Sequence, residues 1–366
     1  MKKRLLFISM AVLLLVGCQP KSYKITGEVS GNEHEGVKVI LTERVNREWI
    51  TIDSTVVTNG KFEFVGEADS TRVVYIVFKH AEPQNEVVGA LVLENGKIQV
   101  SVQGVNVTVK GTKENDLFTV YKNDMVAIDE QMDSIYNTFM AMPTEEQTKQ
   151  LQASVMAQIT ELEDKLNEKN VEYSMQNVNT VIGSHIFMSS FYGFTIEQKD
   201  ALFAKMNEKT KSIGRIADLI AANEVEKKTT KGQPYVDFSM LTPEGTSAKV
   251  SDFVGKTDYL LIDFWASWCG PCIRTFPDLT EFYAKNKGAK FQILGVSLDR
   301  TKDAWIEAIK KHNLTWAHIS DLKYWDCEGA KLYAVSSIPS TVLIGKDGVI
   351  VGRNMTLDEI QNLLNQ

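Results

Sequence analysis

The sequence predicts a multidomain protein with an N-terminal antiparallel β-sandwich or barrel, a helical middle region and a C-terminal α/β domain. Apolar and polar residues alternate over 23–111, which is the period of a half-buried strand. Over 112–230 apolar residues recur three or four positions apart, and from 235 onward apolar runs alternate with helical stretches. We therefore place domains at 18–112, 113–231 and 232–366, after a signal segment at 1–17.

Composition and charge exclude several classes of protein. The chain has 366 residues, enough for two or three ordinary domains. Its formal net charge is −7, and the segment 1–17 contributes three basic residues and no acidic one. A chain this acidic argues against a nucleic-acid partner held by bulk charge. Four cysteines in this length also exclude a disulfide-rich scaffold.

The first residues are typical of a secretion signal. Three basic residues precede the apolar stretch 5–16, which is shorter than the roughly 20 residues that span a bilayer. The stretch ends in Leu-Val-Gly-Cys and resembles the lipobox of bacterial lipoproteins. That resemblance implies cleavage before Cys18, a lipid anchor on Cys18 and, with Gln19 next, a periplasm-facing position on the outer membrane. The alternative is an ordinary secretory signal, and in both cases the mature protein lies outside the cytoplasm.

Strands in the first domain are indicated by apolar residues at every second position. Phe62 and Phe64 alternate with charged residues, and the valines and isoleucine of 98–109 continue the pattern. The pairs Asn59-Gly60 and Asn95-Gly96 separate such runs. Both fit type I′ hairpin turns, in which the two central residues need positive φ.

Helices in the middle region are indicated by their apolar stripes and caps. A stripe over 117–139 stops at Pro143, and Thr144-Gln147 and Thr195-Gln198 have the spacing of capping boxes. The apolar stripe is interpreted as core rather than as a partner-binding face. The polar run 224–232 ends at Gln233-Pro234 and is interpreted as a linker.

A pair of cysteines follows a buried strand in the C-terminal domain. The strand YLLIDF at 259–264 leads into Trp-Cys-Gly-Pro-Cys at 268–272, and helical spacing begins directly after it. Two cysteines with two residues between them can close a small disulfide ring. The partial positive charge of a helix N-terminus favours a thiolate on Cys269, so we predict that Cys269 attacks a foreign disulfide and Cys272 resolves the product.

A zinc half-site is the main alternative for this motif. Structural zinc needs about four ligands at suitable spacing. Beyond the pair, the chain offers Cys18, Cys327 and five histidines without a paired motif. We therefore expect no metal and no cofactor, and we interpret Cys327 as a buried, inert thiol rather than a third redox residue.

Two landmarks give the C-terminal domain a family resemblance. The string DFWASWCGPC at 263–272 is similar to the active-site signature of thioredoxins, and SIPST at 337–341 stands where that fold has a cis-proline, 67 residues from Cys272 to Pro339. Residues 232–366 resemble the TlpA/ResA-type thiol-disulfide oxidoreductases. The preceding β domain resembles the one found before thioredoxin modules in Bacteroides-group lipoproteins.

The resemblance implies roles for individual residues. Pro339 would be cis and shape the groove for a substrate backbone, although an ordinary trans-proline is the alternative. Asp263 would accept a proton from Cys272, although a satisfied strand carboxylate is the alternative. The residues that would contact substrate are Trp268, Gly270, Pro271 and Ile338.

The function predicted on this basis is an envelope enzyme that reduces or exchanges disulfides of protein substrates. The Gly-Pro pair between the cysteines is that of reducing thioredoxins, and a reductant in an oxidising compartment needs a membrane electron donor. One alternative is a peroxiredoxin-like peroxidase, but Ala266 stands where its Thr or Ser would be. Another is a binding lipoprotein that acts through residues 19–230.

Overall fold

The computed structural model describes residues 21–45 and 48–366, which form two compact units. The first unit extends to Ser190 and also contains Lys205–Thr210. The second consists of Phe191–Ala204 and Lys211–Gln366. The helices of the predicted middle region are shared between both units, and the domain boundaries at 112 and 231 stay predictions. The predicted signal segment and Cys18 lie outside the described residues.

Eight strands in the first unit form two four-stranded sheets. One sheet has the order β4-β1-β7-β8 and the other β3-β2-β5-β6. The strands are β1 Tyr23–Ser30, β2 Lys38–Val45, β3 Glu48–Val56, β4 Lys61–Gly66, β5 Arg72–Lys79, β6 Val87–Leu93, β7 Gly96–Gln103 and β8 Asn106–Lys110. Both sheets contribute buried side chains to one core, among them Ile25, Leu41, Phe64, Phe78 and Val100. This confirms the predicted β-sandwich.

One pairing departs from the predicted antiparallel sheet. β1 pairs antiparallel with β4 on one side but parallel with β7 on the other. The period of two reports which side chains of a strand are buried, and it carries no information about the direction of the neighbouring strand. The parallel pair is therefore a feature that the alternation could not reveal.

Of the two predicted type I′ turns, one is present. Asn59 and Gly60 have φ of 51° and 68°, and Thr58 and Lys61 exchange two backbone hydrogen bonds across them. The prediction at Asn95 is wrong, because Asn95 does not have a positive φ and Gly96 has a φ of 148°, outside the range of a type I′ turn. Asn95 instead donates to and accepts from the backbone of Ala68, at 3.0 and 2.9 Å.

Helices follow the sandwich in the chain. They are α1 Lys113–Met140, α2 Lys149–Asn177, α3 Val181–Ser190, α4 Ile196–Lys205, α5 Glu208–Lys211 and α6 Gly214–Lys228. α1 ends before Pro143 as predicted, but α2 begins after Thr148, whose side chain caps Leu151 N at 3.2 Å. Thr148 offers the same capping chemistry as the predicted cap four residues earlier. Thr195 and Gln198 form the predicted capping box. Within the described residues, no helix has the length and apolar character needed to cross a bilayer.

A seven-stranded sheet with flanking helices makes up most of the second unit. Its elements are β9 Ser239–Leu241, β10 Ser247–Lys249, β11 Tyr259–Trp265, α7 Gly270–Asn286, β12 Phe291–Ser297, α8 Lys302–Lys311, β13 Ala317–Ser320, α9 Glu328–Leu332, β14 Ser340–Gly345, β15 Ile350–Arg353 and α10 Leu357–Leu364. The strand order is β10-β9-β13-β12-β11-β14-β15. β11, β12 and β13 are parallel, whereas β14 is antiparallel to β11. This confirms the predicted C-terminal thioredoxin-like α/β domain.

The central strand β11 decides where the chemistry lies. Leu260 through Trp265 are all buried, so the strand is held on both faces. α7 covers one of these faces with Phe276, Leu279 and Phe282. Because β11 ends at Trp265 and α7 begins at Gly270, the four residues between them lie at the carboxyl edge of a rigid sheet. Residues that follow a central strand in this way are positioned by the whole core.

A candidate redox site at the start of α7

The two cysteines of the motif are joined as a disulfide at the beginning of α7. Cys269 is the N-cap of the helix and Cys272 lies in its first turn, with Cα atoms 5.3 Å apart. The backbone N–H of Cys272 donates to Cys269 Sγ over 3.1 Å. Pro271 at the start of the helix removes no intrahelical hydrogen bond, because the first N–H groups have no partner there. The geometry thus directs the N–H of Cys272 at the sulfur of Cys269.

The two cysteines differ only slightly in solvent exposure. Cys269 is 3% exposed and Cys272 is 1% exposed, while Gly270 and Pro271 between them are exposed. The positive end of a helix macrodipole stabilises a nearby negative charge by about 0.3–1 kcal/mol, and by up to about 2 kcal/mol when partly buried. This favours the thiolate of Cys269 over that of Cys272, as the sequence predicts. Only a small part of Cys269 reaches the surface.

The second sequence landmark lies directly beside the first. The Ile338–Pro339 peptide bond is cis, as the resemblance implies. The carbonyl oxygen of Ile338 lies 3.6 Å from Cys269 Sγ. Pro339 itself is exposed and borders a cleft of about 330 Å³. The structure therefore brings together Cys269, Cys272, Ile338 and Pro339. Cys269 and Ile338, which form the sulfur–carbonyl contact, are 69 residues apart in the sequence.

Asp263 lies in the middle of β11 and is buried. It is 4% exposed, and burial raises the pKa of its carboxyl to about 7. No described residue forms a hydrogen bond with its Oδ2 atom. Asp263 lines the same cleft as Pro339 and Thr275. One carboxyl oxygen of Asp263 thus lacks a partner among the described residues, and its role in proton transfer stays a prediction.

Trp268 is exposed and lies beside two half-buried aromatic residues. Its ring is 45% exposed and lies 5.0 Å from the ring of Tyr324 and 6.2 Å from that of Trp325. The guanidinium of Arg300 lies 4.0 Å from the Tyr324 ring centroid, within cation–π distance. We call Trp268, Tyr324 and Trp325 the aromatic rim. The sequence analysis did not assign Tyr324 or Arg300, although Tyr324-Trp325 stands next to Cys327 in an aromatic-rich insertion.

A buried carboxylate holds the loop before Cys269. Asp299 is 1% exposed, and its oxygens accept hydrogen bonds from the backbone N–H of Ser267 at 3.1 and 3.2 Å and from its hydroxyl at 2.5 Å. The hydroxyl of Ser297 donates to the same carboxylate over 2.8 Å. Sequence reasoning missed Asp299. The available signal is its position just after β12, whose carboxyl end adjoins that of β11.

Cys327 is a free cysteine outside the redox pair. It is fully buried at the start of α9, and burial raises the pKa of its thiol to about 11. A thiol with this pKa is almost entirely protonated at neutral pH and is a poor nucleophile. This supports the interpretation of Cys327 as an inert core residue.

Two family models match separate parts of the chain. Residues 23–118 match a domain of unknown function (DUF4369), and residues 256–350 match a thioredoxin-like family. The first match covers the described β-sandwich and the beginning of α1, and the second covers the redox site.

Relatives and solved structures match between about a third and two fifths of the chain. The thiol-disulfide oxidoreductase ResA of Bacillus thuringiensis subsp. konkukian is 31% identical over 126 residues, which are 34% of this chain and 70% of that protein. ResA of Geobacillus thermodenitrificans is 29% identical over 150 residues, covering 40% and 83%. Among solved structures, a thiol-disulfide oxidoreductase from Bacteroides fragilis is 30% identical, covers 36% of this chain and 99% of its own, and has a TM-score of 0.34. The thioredoxin domain of an oxidoreductase from Bacteroides vulgatus is 27% identical, with coverages of 37% and 95% and the same TM-score.

The raised pKa of Asp263 predicts a pH-dependent stability. The unfolded carboxyl ionises near pH 4 and the folded one near pH 7, so between these values the folded state holds the extra proton. Stability therefore falls as the pH rises from about 4 to 7. Asp263→Asn removes the ionisation, and at 1.36 kcal/mol per pKa unit it should stabilise the oxidised protein by up to about 4 kcal/mol at pH 8.

Urea unfolding of the oxidised protein at pH 4, 6 and 8 measures this difference. The stabilisation should vanish at pH 4. Asp258→Asn, at the exposed entrance of β11, is the matched control and should leave the slope between pH 6 and 8 unchanged. Equal effects of Asp263→Asn at all three pH values would show that Asp263 does not titrate as described.

Proposed function

The chain belongs to the family of thiol-disulfide oxidoreductases that includes ResA, and from this premise we propose that it reduces or exchanges disulfides of protein substrates in the bacterial envelope. The observation that carries the proposal is the Cys269–Cys272 disulfide at a helix N-terminus, 3.6 Å from the carbonyl of the cis Ile338–Pro339 bond. A redox-active dithiol next to an exposed backbone edge is suited to a substrate that brings its own disulfide in an extended segment.

Reduction of a substrate proceeds in two exchanges. In the reduced enzyme the Cys269 thiolate attacks one sulfur of the substrate disulfide, forms a mixed disulfide and releases the other sulfur as a thiolate. Cys272 then loses its proton and attacks Cys269, which closes the enzyme disulfide and releases the second substrate thiolate. The enzyme dithiol supplies the two electrons. Asp263 is the base we assign to Cys272, since it lines the cleft that Pro339 borders.

The direction of electron flow that we propose is towards the substrate. The residues between the cysteines, Gly270 and Pro271, are those of reducing thioredoxins. Many TlpA-type proteins have an acidic residue where this chain has Thr275. Here the Thr275 hydroxyl donates to the Cys272 carbonyl over 2.9 Å, so the position adds a helix hydrogen bond and no charge.

Substrate recognition is assigned to the surface around Cys269. Trp268, Gly270 and Pro271 are exposed beside it, and Ile338 presents its carbonyl. The aromatic rim offers apolar rings that bury area against a bound segment without fixing its sequence. The β-sandwich has its own family model, and no redox residue is assigned to it.

The position of the protein in the cell is proposed from the signal segment. Cleavage before Cys18 and lipidation of that residue would anchor the chain to a membrane, with the outer membrane facing the periplasm as the expected site. In an oxidising compartment a dithiol is steadily converted to the disulfide, so a membrane electron donor has to reduce the Cys269–Cys272 pair again.

Substitution of the two cysteines should give opposite results. Cys269→Ser should abolish reduction of a protein disulfide such as that of insulin. Cys272→Ser should accumulate mixed disulfides, because the attacking thiolate remains and the resolving thiol is missing. Both are read on non-reducing gels and by mass spectrometry of the trapped proteins.

Cys327→Ala is the control for this pair, since it removes a cysteine of the same domain that is buried and protonated. It should keep the wild-type rate. Reduction at the wild-type rate by Cys269→Ser would refute the proposed function. If Cys272→Ser forms no mixed disulfides and a partner binds through residues 19–230, the result would favour the alternative of a binding lipoprotein.

Loss of the rim should affect large substrates more than small ones. We expect Trp268→Ala to lower kcat/KM for a protein disulfide about tenfold, which corresponds to the 1–2 kcal/mol of one aromatic contact. A small aromatic disulfide reagent should react at close to the wild-type rate. Trp49→Ala removes an equally exposed tryptophan, 55% against 45%, from the β-sandwich and should change neither rate. Equal losses for both substrates would place the effect of Trp268 in the chemistry and not in recognition.

The anchor and the donor can be tested together in the native host. Cys18→Ser should lose incorporation of a radiolabelled fatty acid and should shift the Cys269–Cys272 pair towards the disulfide, because the unanchored protein meets its donor less often. Thiol alkylation followed by gel mobility reports the redox state. Fatty-acid labelling that persists in the variant would contradict the assignment of Cys18.

A further inference from the structure

A row of buried residues crosses three neighbouring strands of the sheet in the second unit. Asp263 of β11 pairs with Gly295 of β12, and Gly295 pairs with His318 of β13. Residues in register on neighbouring strands point to the same face, and strands lie about 4.8 Å apart. Asp263 and His318 therefore face the same side of the sheet about 10 Å apart, with a residue that has no side chain between them.

The glycine in the row gives room to the polar atoms around it. A Cβ atom on Gly295 would lie 2.3 Å from His318 Nδ1 and 3.0 Å from Trp265 Nε1. Both side chains thus extend over Gly295. Trp265 is on the same face as Asp263, two positions further along β11. The indole N–H of Trp265 and the Nδ1 atom of His318 therefore both lie close to the middle of the row.

These buried polar atoms have few protein partners. Asp263 Oδ2 and Trp265 Nε1 form no hydrogen bond with the described residues. The ring nitrogens of His318 have no hydrogen bond of ordinary geometry there, and the Leu314 backbone interacts with the ring. The three residues are 4%, 0% and 4% exposed. Buried polar groups in folded proteins are satisfied by protein atoms or by internal water, and a buried water needs two to four polar partners. The row supplies an acceptor, a donor and an imidazole, which is the partner set for such water.

The far end of the row reaches the surface at a second cleft. His318 lines a cleft of about 420 Å³ together with Glu244, Lys310 and Trp316. None of the residues that line this cleft lines the cleft at Pro339. The row thus connects the carboxyl near the redox pair with a different part of the protein surface.

We propose that Asp263, internal water between the two side chains and His318 form a proton path from the redox site to this second cleft. The inference rests on the proposed function of the dithiol. When Cys272 attacks Cys269, its proton moves to the Asp263 carboxylate while the S–S bond to the substrate breaks. The protonated Asp263 then passes a proton through water to one ring nitrogen of His318, and the other ring nitrogen releases a proton to the cleft. The carboxylate is restored, and no electrons move in this second stage.

His318 has the properties of a relay. Burial lowers the pKa of its imidazole to about 4, so the ring is neutral at pH 7 and has one donor and one acceptor nitrogen. A neutral ring passes a proton on without retaining it. The charged and titratable groups that face the row are Asp263 at one end and Glu244 and Lys310 in the cleft at the other. From α8, His312 packs on Phe276, which packs on Trp265.

The experiment uses the reduced full-length protein and 5,5′-dithiobis(2-nitrobenzoate), a disulfide whose thiolate is coloured. The first coloured thiolate appears when Cys269 attacks, and the second appears when Cys272 resolves the mixed disulfide. Stopped-flow absorbance at pH 6–9 separates the two steps. We expect His318→Ala to leave the first step unchanged and to slow the second at least tenfold at pH 7. Imidazole that enters the cleft should restore the second step, whereas thiazole, which has a similar shape and is a much weaker base, should not.

Two further variants guard against a merely structural effect. His318→Gln keeps a polar side chain in place but cannot ionise, so it should also slow the second step, and it tests the proposal if His318→Ala does not fold. His312→Ala removes a histidine from the same side of the domain and should keep both steps.

The proposal is overturned if the second step keeps its wild-type rate and pH profile in both His318 variants, since the proton then leaves by the cleft at Pro339. It is also overturned if the step is slow but imidazole does not restore it. Neither result depends on the natural substrate, because the reagent is a small molecule. Failure of the wild-type enzyme to reduce protein disulfides would instead refute the proposed function and leave the two-step assay of His318 intact.

Discussion

The site depends on how the chain passes from β11 to α7. A strand buried on both faces stops at Trp265, and five residues later a helix begins in which the backbone N–H of Cys272 donates to Cys269 Sγ. This N–H and the helix dipole stabilise a sulfur anion only if the distance between the helix start and Cys269 Sγ is fixed. The Asp299 carboxylate fixes it from one side by binding Ser267 through both backbone and hydroxyl. The core of the domain thereby sets the chemistry of one atom.

The same domain keeps polar groups in its interior at a cost in stability. Asp263 is buried without a partner for one oxygen, and its raised pKa means that ionisation opposes folding. A core with a purely structural role would not contain such a group. Cys327, by contrast, is an ordinary buried side chain. Cys269 and Cys327 are both buried cysteines at the N-cap of a helix, yet we assign a redox role only to Cys269. We attribute the difference in role to the neighbouring residues, because Cys269 lies beside the cis Ile338–Pro339 bond and follows Trp268 of the aromatic rim.

The sequence predicted the redox site well because the motif is local. Cys269 and Cys272 sit within four residues, and the strand and helix on either side follow from apolar periodicity alone. The position of Pro339 beside them required the family resemblance, since no periodicity links residues so far apart. Asp299 and Tyr324 were missed, because each acts through a tertiary contact and neither belongs to a pattern. The predicted turn at Asn95 failed for the same reason, because the Asn95 side chain forms hydrogen bonds with the backbone of Ala68, a tertiary contact that an Asn-Gly pair does not reveal.

The parallel pairing of β1 with β7 has a consequence for how the first unit is completed. β1 is an inner strand of its sheet, and one of its two neighbours lies some seventy residues further along the chain. When the polypeptide emerges with its N-terminus first, β1 can pair with β4 early, but its other edge stays open until β7 has emerged. An open edge is a template for pairing with other chains. For a protein made in this order, the most vulnerable interval ends only when Gly96–Gln103 is free to dock, so the speed of chain delivery governs how long aggregation competes with folding.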